Sequence, residues 1–203
     1  MKRKGEDHLS KADPDASKKE RNKTIRWVVT IFVTTIFISG AISLISDEIM
    51  SSSGIFVAFL ILLAIILVGI IFDIIGMAVA SADEKPFHAM ASRKVPGARE
   101  AIGLLRNAER VSSICNDVVG DICGVVSGSA SATIAAQILS NFEFSWPRVV
   151  SLVMSALAAG LTVGGKAVGK TFAVNSSTAI VHGVGKILYT LNHIPELFRK
   201  KKK

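Results

Sequence analysis

Residues 54–80 read GIFVAFLILLAIILVGIIFDIIGMAVA, and this stretch decides the fold. No residue from Ile49 to Phe72 carries a charge. At about 1.5 Å per residue such a run crosses the roughly 30 Å hydrocarbon layer of a bilayer. Lipid offers no hydrogen-bond partner, so a backbone inside it must satisfy its own N–H and C=O groups. The run must therefore be a helix; the alternating ten-residue segments of a membrane β-barrel are absent. Trp27–Ser46, Ile122–Phe142 and Val149–Gly165 are likewise uncharged. Four spans follow, at about 25–46, 54–80, 111–139 and 148–170. The expected fold is an all-α polytopic membrane helical bundle.

The 203 residues carry 24 Lys+Arg and 16 Asp+Glu, a net charge of +8. The uncharged runs exclude a soluble enzyme and a disordered basic protein, and the basic excess sits in the two tails and one internal loop. It argues for membrane orientation and not for a nucleic-acid partner. The 1–24 tail and the residues just after it hold nine basic side chains from Lys2 to Arg26; the 47–53 connection holds none. Lys85, Arg93, Lys94, Arg99, Arg106 and Arg110 occupy the 81–110 connection. Only Glu143 lies in 140–147, and the 196–203 tail ends in Arg199–Lys203. This alternation predicts both termini in the cytosol of a cell-membrane protein. The first run starts too late and is too long for a cleaved signal peptide, so it is read as a retained span.

The internal loop has its own pattern. Pro86 suits a helix start, and Pro96-Gly97 a stop. Ala98, Ala101, Ile102, Leu105 and Ala108 then share one face of a helix at about 98–110. Ile180, Val184, Ile187, Leu188 and Leu191 repeat in the same way across 178–192. Both regions, 86–110 and 178–192, read as juxtamembrane amphipathic helices in the cytosolic interface. Gly120, Gly124 and Gly128, and Gly160, Gly164, Gly165 and Gly169, read as close-packing positions between helices. Cys115 and Cys123 read as reduced, buried thiols. The four histidines show no metal-ligand spacing, and Trp27 and Trp146 fall at span ends as headgroup anchors. No nucleophile–base–orienter set stands out, so no enzyme is expected.

Four charges lie at the wrong depth. Asp73 interrupts the second span, Asp117 and Asp121 the third, and Lys166 the fourth. Ser113 shares the Asp117/Asp121 face at helical spacing. All four charges fall roughly 5–12 Å to the cytosolic side of the midplane. One such charge costs about 2.5–3.5 kcal/mol on insertion scales, so a group of four calls for a reason. One reading is a site of hard oxygen ligands for Mg²⁺ or Ca²⁺. A second is a Lys166–Asp pair that neutralises itself and pins a structural or regulatory, non-transporting bundle. A third is proton relay through protonated carboxylates.

Several residues then resemble a known family. Ser81-Ala82-Asp83-Glu84 resembles the Ser-x-x-Glu signature of the cyclin M (CNNM)/CorC magnesium transporter transmembrane domain. Gly97–Arg110 is similar to that family's juxtamembrane helices. Asp117-Val118-Val119-Gly120-Asp121 stands where the family has Asn-x-x-x-Asn, and Gly165–Ala173 where it has Gly-Glu-Ile-x-Pro-Lys-x-x-Ala. The resemblance covers about 55–195. It implies a CNNM/CorC-like domain over 54–195 and a homodimer; the span at 25–46 and the expected lack of a CBS pair depart from the family's pattern. It further implies divalent-cation (Mg²⁺) binding or transport, with the lipid bilayer as the other partner. Asp117 and Asp121 would be ligands, with Ser113 and Ser81 as further oxygen donors; Asp73, which has no counterpart in the family, would add negative potential or a ligand. Lys166 takes the place of the family's Glu, as counter-charge or gate. Two Asp and one Lys sum to the same −1 as two Asn and one Glu, which leaves both a rearranged and a silenced site open.

Overall fold

In the computed structural model, residues 14–142 and 146–200 are described, with side chains placed for 22, 24–142 and 146–193; every regular element among them is a helix. Residues 1–13 and 201–203 of the basic tails, and Glu143, lie outside the described residues. The helices are α1 (Pro14–Ser52), α2 (Ile55–Ser81), α3 (Lys85–Ser92), α4 (Ala98–Arg106) and α5 (Ala108–Ser113). A π-helical turn (Ile114–Gly120), α6 (Asp121–Asn141), α7 (Pro147–Asn175) and α8 (Ser177–Lys200) complete the order. Four stretches are long and apolar enough to cross a membrane: Thr24–Ser52, Ile55–Ser81, Ala108–Asn141 and Pro147–Asn175. The chain is an all-helical membrane protein.

Two compact units divide the chain, one up to Phe37 and one from Ile38 onward. In the first, α1 exposes Phe32 and Phe37, and Thr30 Oγ1 donates to the Arg26 carbonyl at 2.7 Å. Apolar side chains bare on a spanning helix suit lipid.

In the second unit the helix expected to stop near Ser46 continues to Ser52. The reason is polar contact with α6. Ser129 Oγ donates to both Asp47 carboxylate oxygens (3.3 and 3.2 Å), and Thr133 Oγ1 donates to Oδ1 at 3.2 Å. Gln137 Nε2 donates to the Met50 carbonyl. Ser129, Thr133 and Gln137 stand at i, i+4 and i+8, one polar stripe along α6. Asp47 is thus kept within the helix by its partners. Asp47→Ala is expected to lower stability by about 1–3 kcal/mol, the cost of leaving the Ser129 hydroxyl without an acceptor; Thr133 Oγ1 keeps its bond to the Ser129 carbonyl. Thermal unfolding in detergent checks it, with Glu48→Ala on the exposed side expected within about 0.5 kcal/mol of wild type.

Beside this contact, Met50, Ala58, Leu62, Ile66, Ala130, Ile134, Ala135 and Met154 form one core cluster between α1, α2, α6 and α7. α2 is the central element, packed against α6, α7, the π turn, α5 and α8. Small residues set how close its neighbours come. A Cβ on Gly69 would meet Cys123 Cβ at 2.8 Å, one on Gly169 would meet Ile74 Cγ1 at 2.8 Å, and one on Gly165 would strike Ile70. In contrast, Gly124, Gly128, Gly160 and Gly164 have nothing within 4 Å. The glycine spacing therefore marks two kinds of surface: one packed within the chain, the other open.

The amphipathic helices of 86–110 also find a different surface from the one expected, while Ile187 and Leu191 of the 178–192 face stay exposed. Phe87, Ala101, Leu105 and Val181 are buried with Ala78, Val79 and Ala173 in a second cluster. The apolar faces of α3 and α4 thus rest on protein, namely the C-terminal ends of α2 and α7 and the start of α8. Periodicity records that a face is apolar and is silent on whether lipid or side chains cover it. The helix expected over 98–110 breaks at Asn107, whose Nδ2 donates to the Gly103 carbonyl at 3.0 Å. The third span therefore begins at Ala108.

Candidate functional site at the π-helical turn

The third span is not one regular helix. From Ile114 to Gly120 it winds as a π-helix, a wider turn that is rare and concentrates at functional positions. Ser113 enters this turn, and its Oγ donates to Asp117 Oδ2 at 2.7 Å. Asn116 Nδ2 donates to Ser112 Oγ at 3.2 Å, while its buried Oδ1 has no partner. A Cβ on Gly76 would strike that amide, so the glycine makes room for Asn116 against α2. Asp117 and Asp121 are both exposed. Asp117 bonds only to Ser113, and Asp121 makes no hydrogen bond or ion pair among the described residues.

Lys166 reaches this turn from α7. Its Nζ lies 3.6 Å from Asp73 Oδ1 of α2, with the side chains 25% and 15% exposed. Gly120, buried at the end of the π turn, opens the space between them. A Cβ there would sit 3.1 Å from Lys166 Nζ, 3.4 Å from the Cys115 carbonyl oxygen and 3.8 Å from Asp73 Oδ1. Side chain, carboxylate and backbone carbonyl from three elements thus gather around one glycine. Coulomb attraction at this range is several-fold stronger than in bulk water, because the surroundings exclude most solvent.

The residues expected to form one metal site are divided. Asp73 and Lys166 pair at Gly120; Ser113 and Asp117 pair one turn away. Ser81 sits eight residues beyond Asp73 on α2, about 12 Å along the axis. Its exposed hydroxyl donates to the Met77 carbonyl at 2.8 Å. Among the described residues, no three His, Cys, Asp or Glu side chains come together as a metal-holding group.

The sequence reading overlooked two contributors. Asn116 carries the buried, unpartnered oxygen, and only the side-by-side polar pair Asn116-Asp117 hinted at it. The Ser129–Thr133–Gln137 stripe has a four-residue period, but single hydroxyls are common in membrane helices and the spacing alone does not mark it. No protein-family model, curated protein or solved structure matches this chain.

Proposed function

We propose that this chain is a CNNM/CorC-like multi-pass protein of the cell membrane, both termini cytosolic, which binds and moves a divalent cation, Mg²⁺ first. The observation that carries the reading is the Lys166 ammonium beside Asp73, Gly120 and the π turn. An ammonium, a carboxylate and a backbone carbonyl already meet around Gly120 between three apolar helices. One turn away, Asp117 and Asp121 carry negative charge that no Lys or Arg among the described residues neutralises.

In this mechanism Asp117 and Asp121 ligate the incoming ion. The Ser113 hydroxyl turns from the carboxylate toward the metal, as hard oxygen ligands suit Mg²⁺. Lys166 holds Asp73 while the ion is absent and swings aside as it enters, acting as counter-charge and gate. Ser81 stands outside this set. The open face of α6, with Asp121, Gly124, Gly128 and Ala132, suits a second copy, since small residues let helices approach closely in lipid. A homodimer would also cover carboxylates that are costly to leave against hydrocarbon.

A specific contact favours a second reading. Because Lys166 already neutralises Asp73, the same 3.6 Å contact also fits a purely structural pair in a non-transporting subunit. Mg²⁺ titration of the purified protein separates them. Binding to the folded state alone raises stability by about 2.7 kcal/mol at a hundredfold excess over Kd. Wild type is expected to gain thermal stability with Mg²⁺ and to pass Mg²⁺ into proteoliposomes. The Asp117→Ala/Asp121→Ala variant is expected to lose both. Wild type indifferent to millimolar Mg²⁺, with no flux, would leave the structural reading.

A further inference from the structure

Away from the spans, a cavity of about 350 Å³ opens between the α3–α4 turn and α8. Lys94, Arg99, Glu100, Tyr189 and His193 supply its polar lining, and Val95-Pro96-Gly97 its wall. The proposed cation chemistry uses none of these residues.

The walls are fixed by backbone, not by adaptable side chains. Gly97 has φ +83, and a Cβ on it would lie 2.5 Å from the Lys186 nitrogen; a Cβ on Gly185 would strike the Gly97 carbonyl. His182 Nε2 donates to the Pro96 carbonyl at 3.3 Å. α3 ends in a Schellman turn, with Val95 N–H donating to the Met90 carbonyl and Lys94 N–H to that of Ala91, both at 3.0 Å. The residue at the left-handed position of that turn is normally glycine. Here it is Lys94, at φ 58. Folding alone would favour glycine at this position, so the turn keeps a cationic side chain at the cavity at the expense of backbone comfort.

Across the cavity, Tyr189 and His193 stack with ring centroids 4.0 Å apart. His193 Nδ1 lies 2.8 Å from the Tyr189 carbonyl, which can only accept, so Nδ1 carries the proton. Its Nε2 is then the acceptor of the neutral ring, suited to a P–OH group, and becomes a donor when the ring is protonated. Lys94 and Arg99 outweigh Glu100 by one positive charge. A guanidinium fork, an ammonium, a phenol and an imidazole around one recess match the tetrahedral oxygens of a phosphate.

We infer that this cavity binds a phosphate group, carried either by a lipid head or by a small soluble phosphate. Two arms distinguish the sources. In detergent, the full chain is titrated with inorganic phosphate and glycerol 3-phosphate by calorimetry. In nanodiscs, phosphatidylcholine is compared with phosphatidylcholine containing about a fifth phosphatidic acid, with bound lipid counted by native mass spectrometry. Binding in the first arm assigns a soluble phosphate, and enrichment in the second alone assigns a headgroup; either supports the inference. Arg99→Gln is expected to weaken binding about tenfold or more, the loss typical of a charged hydrogen-bond donor. Lys94→Gly is expected to weaken binding while raising the melting temperature, because it relieves the left-handed turn. Lys85→Gln, a charge change on α3 outside the cavity, should leave binding unchanged. Absence of binding in both arms overturns the inference. So does an equal loss in Arg99→Gln and Lys85→Gln, which would mark diffuse surface attraction.

Discussion

Gly97→Ala is expected to break the α4–α8 contact and to be among the most damaging substitutions in the chain. Its φ of +83 is a conformation L side chains rarely adopt, and the left-handed region costs them about 1–2 kcal/mol. The added methyl would also meet three backbone atoms, Lys186 N, Gly185 C and Lys186 Cα, at 2.5, 2.7 and 2.8 Å. Backbone cannot rotate away as a side chain can, so overpacking adds about 1–3 kcal/mol. The total of about 2–5 kcal/mol would part α4 from α8 and expose Ala98, Ala101 and Val181, all fully buried. Gly103→Ala provides the internal contrast. It lies within α4, which Gly97 caps, with nothing within 4 Å, and alanine there should stabilise by up to about 1 kcal/mol through helix propensity alone. Thermal unfolding in detergent, with hydrogen exchange read over 98–106, measures both. Equal melting temperatures for the two variants would refute the contact.

The second large effect lies at Asp73 and Lys166. Asp73→Ala leaves the ammonium without its counter-charge among apolar helices, a change expected to cost about 3 kcal/mol, the low end for buried pairs because both groups keep some exposure. Lys166→Met leaves Asp73 bare at similar cost. The double variant Asp73→Leu/Lys166→Met should recover most of the loss, since exchanging a whole buried pair for apolar groups is often neutral. A double-mutant cycle then isolates the interaction; losses that simply add would show that the two charges do not meet. The same variants bear on function. If Lys166 competes with the metal, Lys166→Met should bind Mg²⁺ more tightly than wild type while being less stable. A purely structural lysine would give the instability without the affinity.

Much of this architecture was legible in the residues themselves. The uncharged run up to Phe72 located α2, and Pro86 and Pro96-Gly97 bracketed α3. Depth counting put Asp73 and Lys166 level with each other, and the two pair at 3.6 Å. Other features were hidden for identifiable reasons. Asp47 looked like the end of a span because its hydroxyl partners lie more than eighty residues away, in α6. Gly120 and Gly124 are equivalent in spacing, yet one is packed around an ion pair and the other is open. Spacing fixes a face of a helix; it does not say what that face meets.

Composition and charge order alone determined that the chain is helical, has four stretches long and apolar enough to cross a membrane, and carries Asp73, Asp117, Asp121 and Lys166 inside three of them, because lipid permits few backbone solutions. Tertiary structure alone decided which carboxylate Lys166 reaches, where the third span widens into a π turn, and that α3 and α4 rest on protein. Those outcomes depend on how each helix is rotated about its axis against its neighbours. That rotation is set by glycine contacts and long-range hydrogen bonds, which a linear pattern does not record.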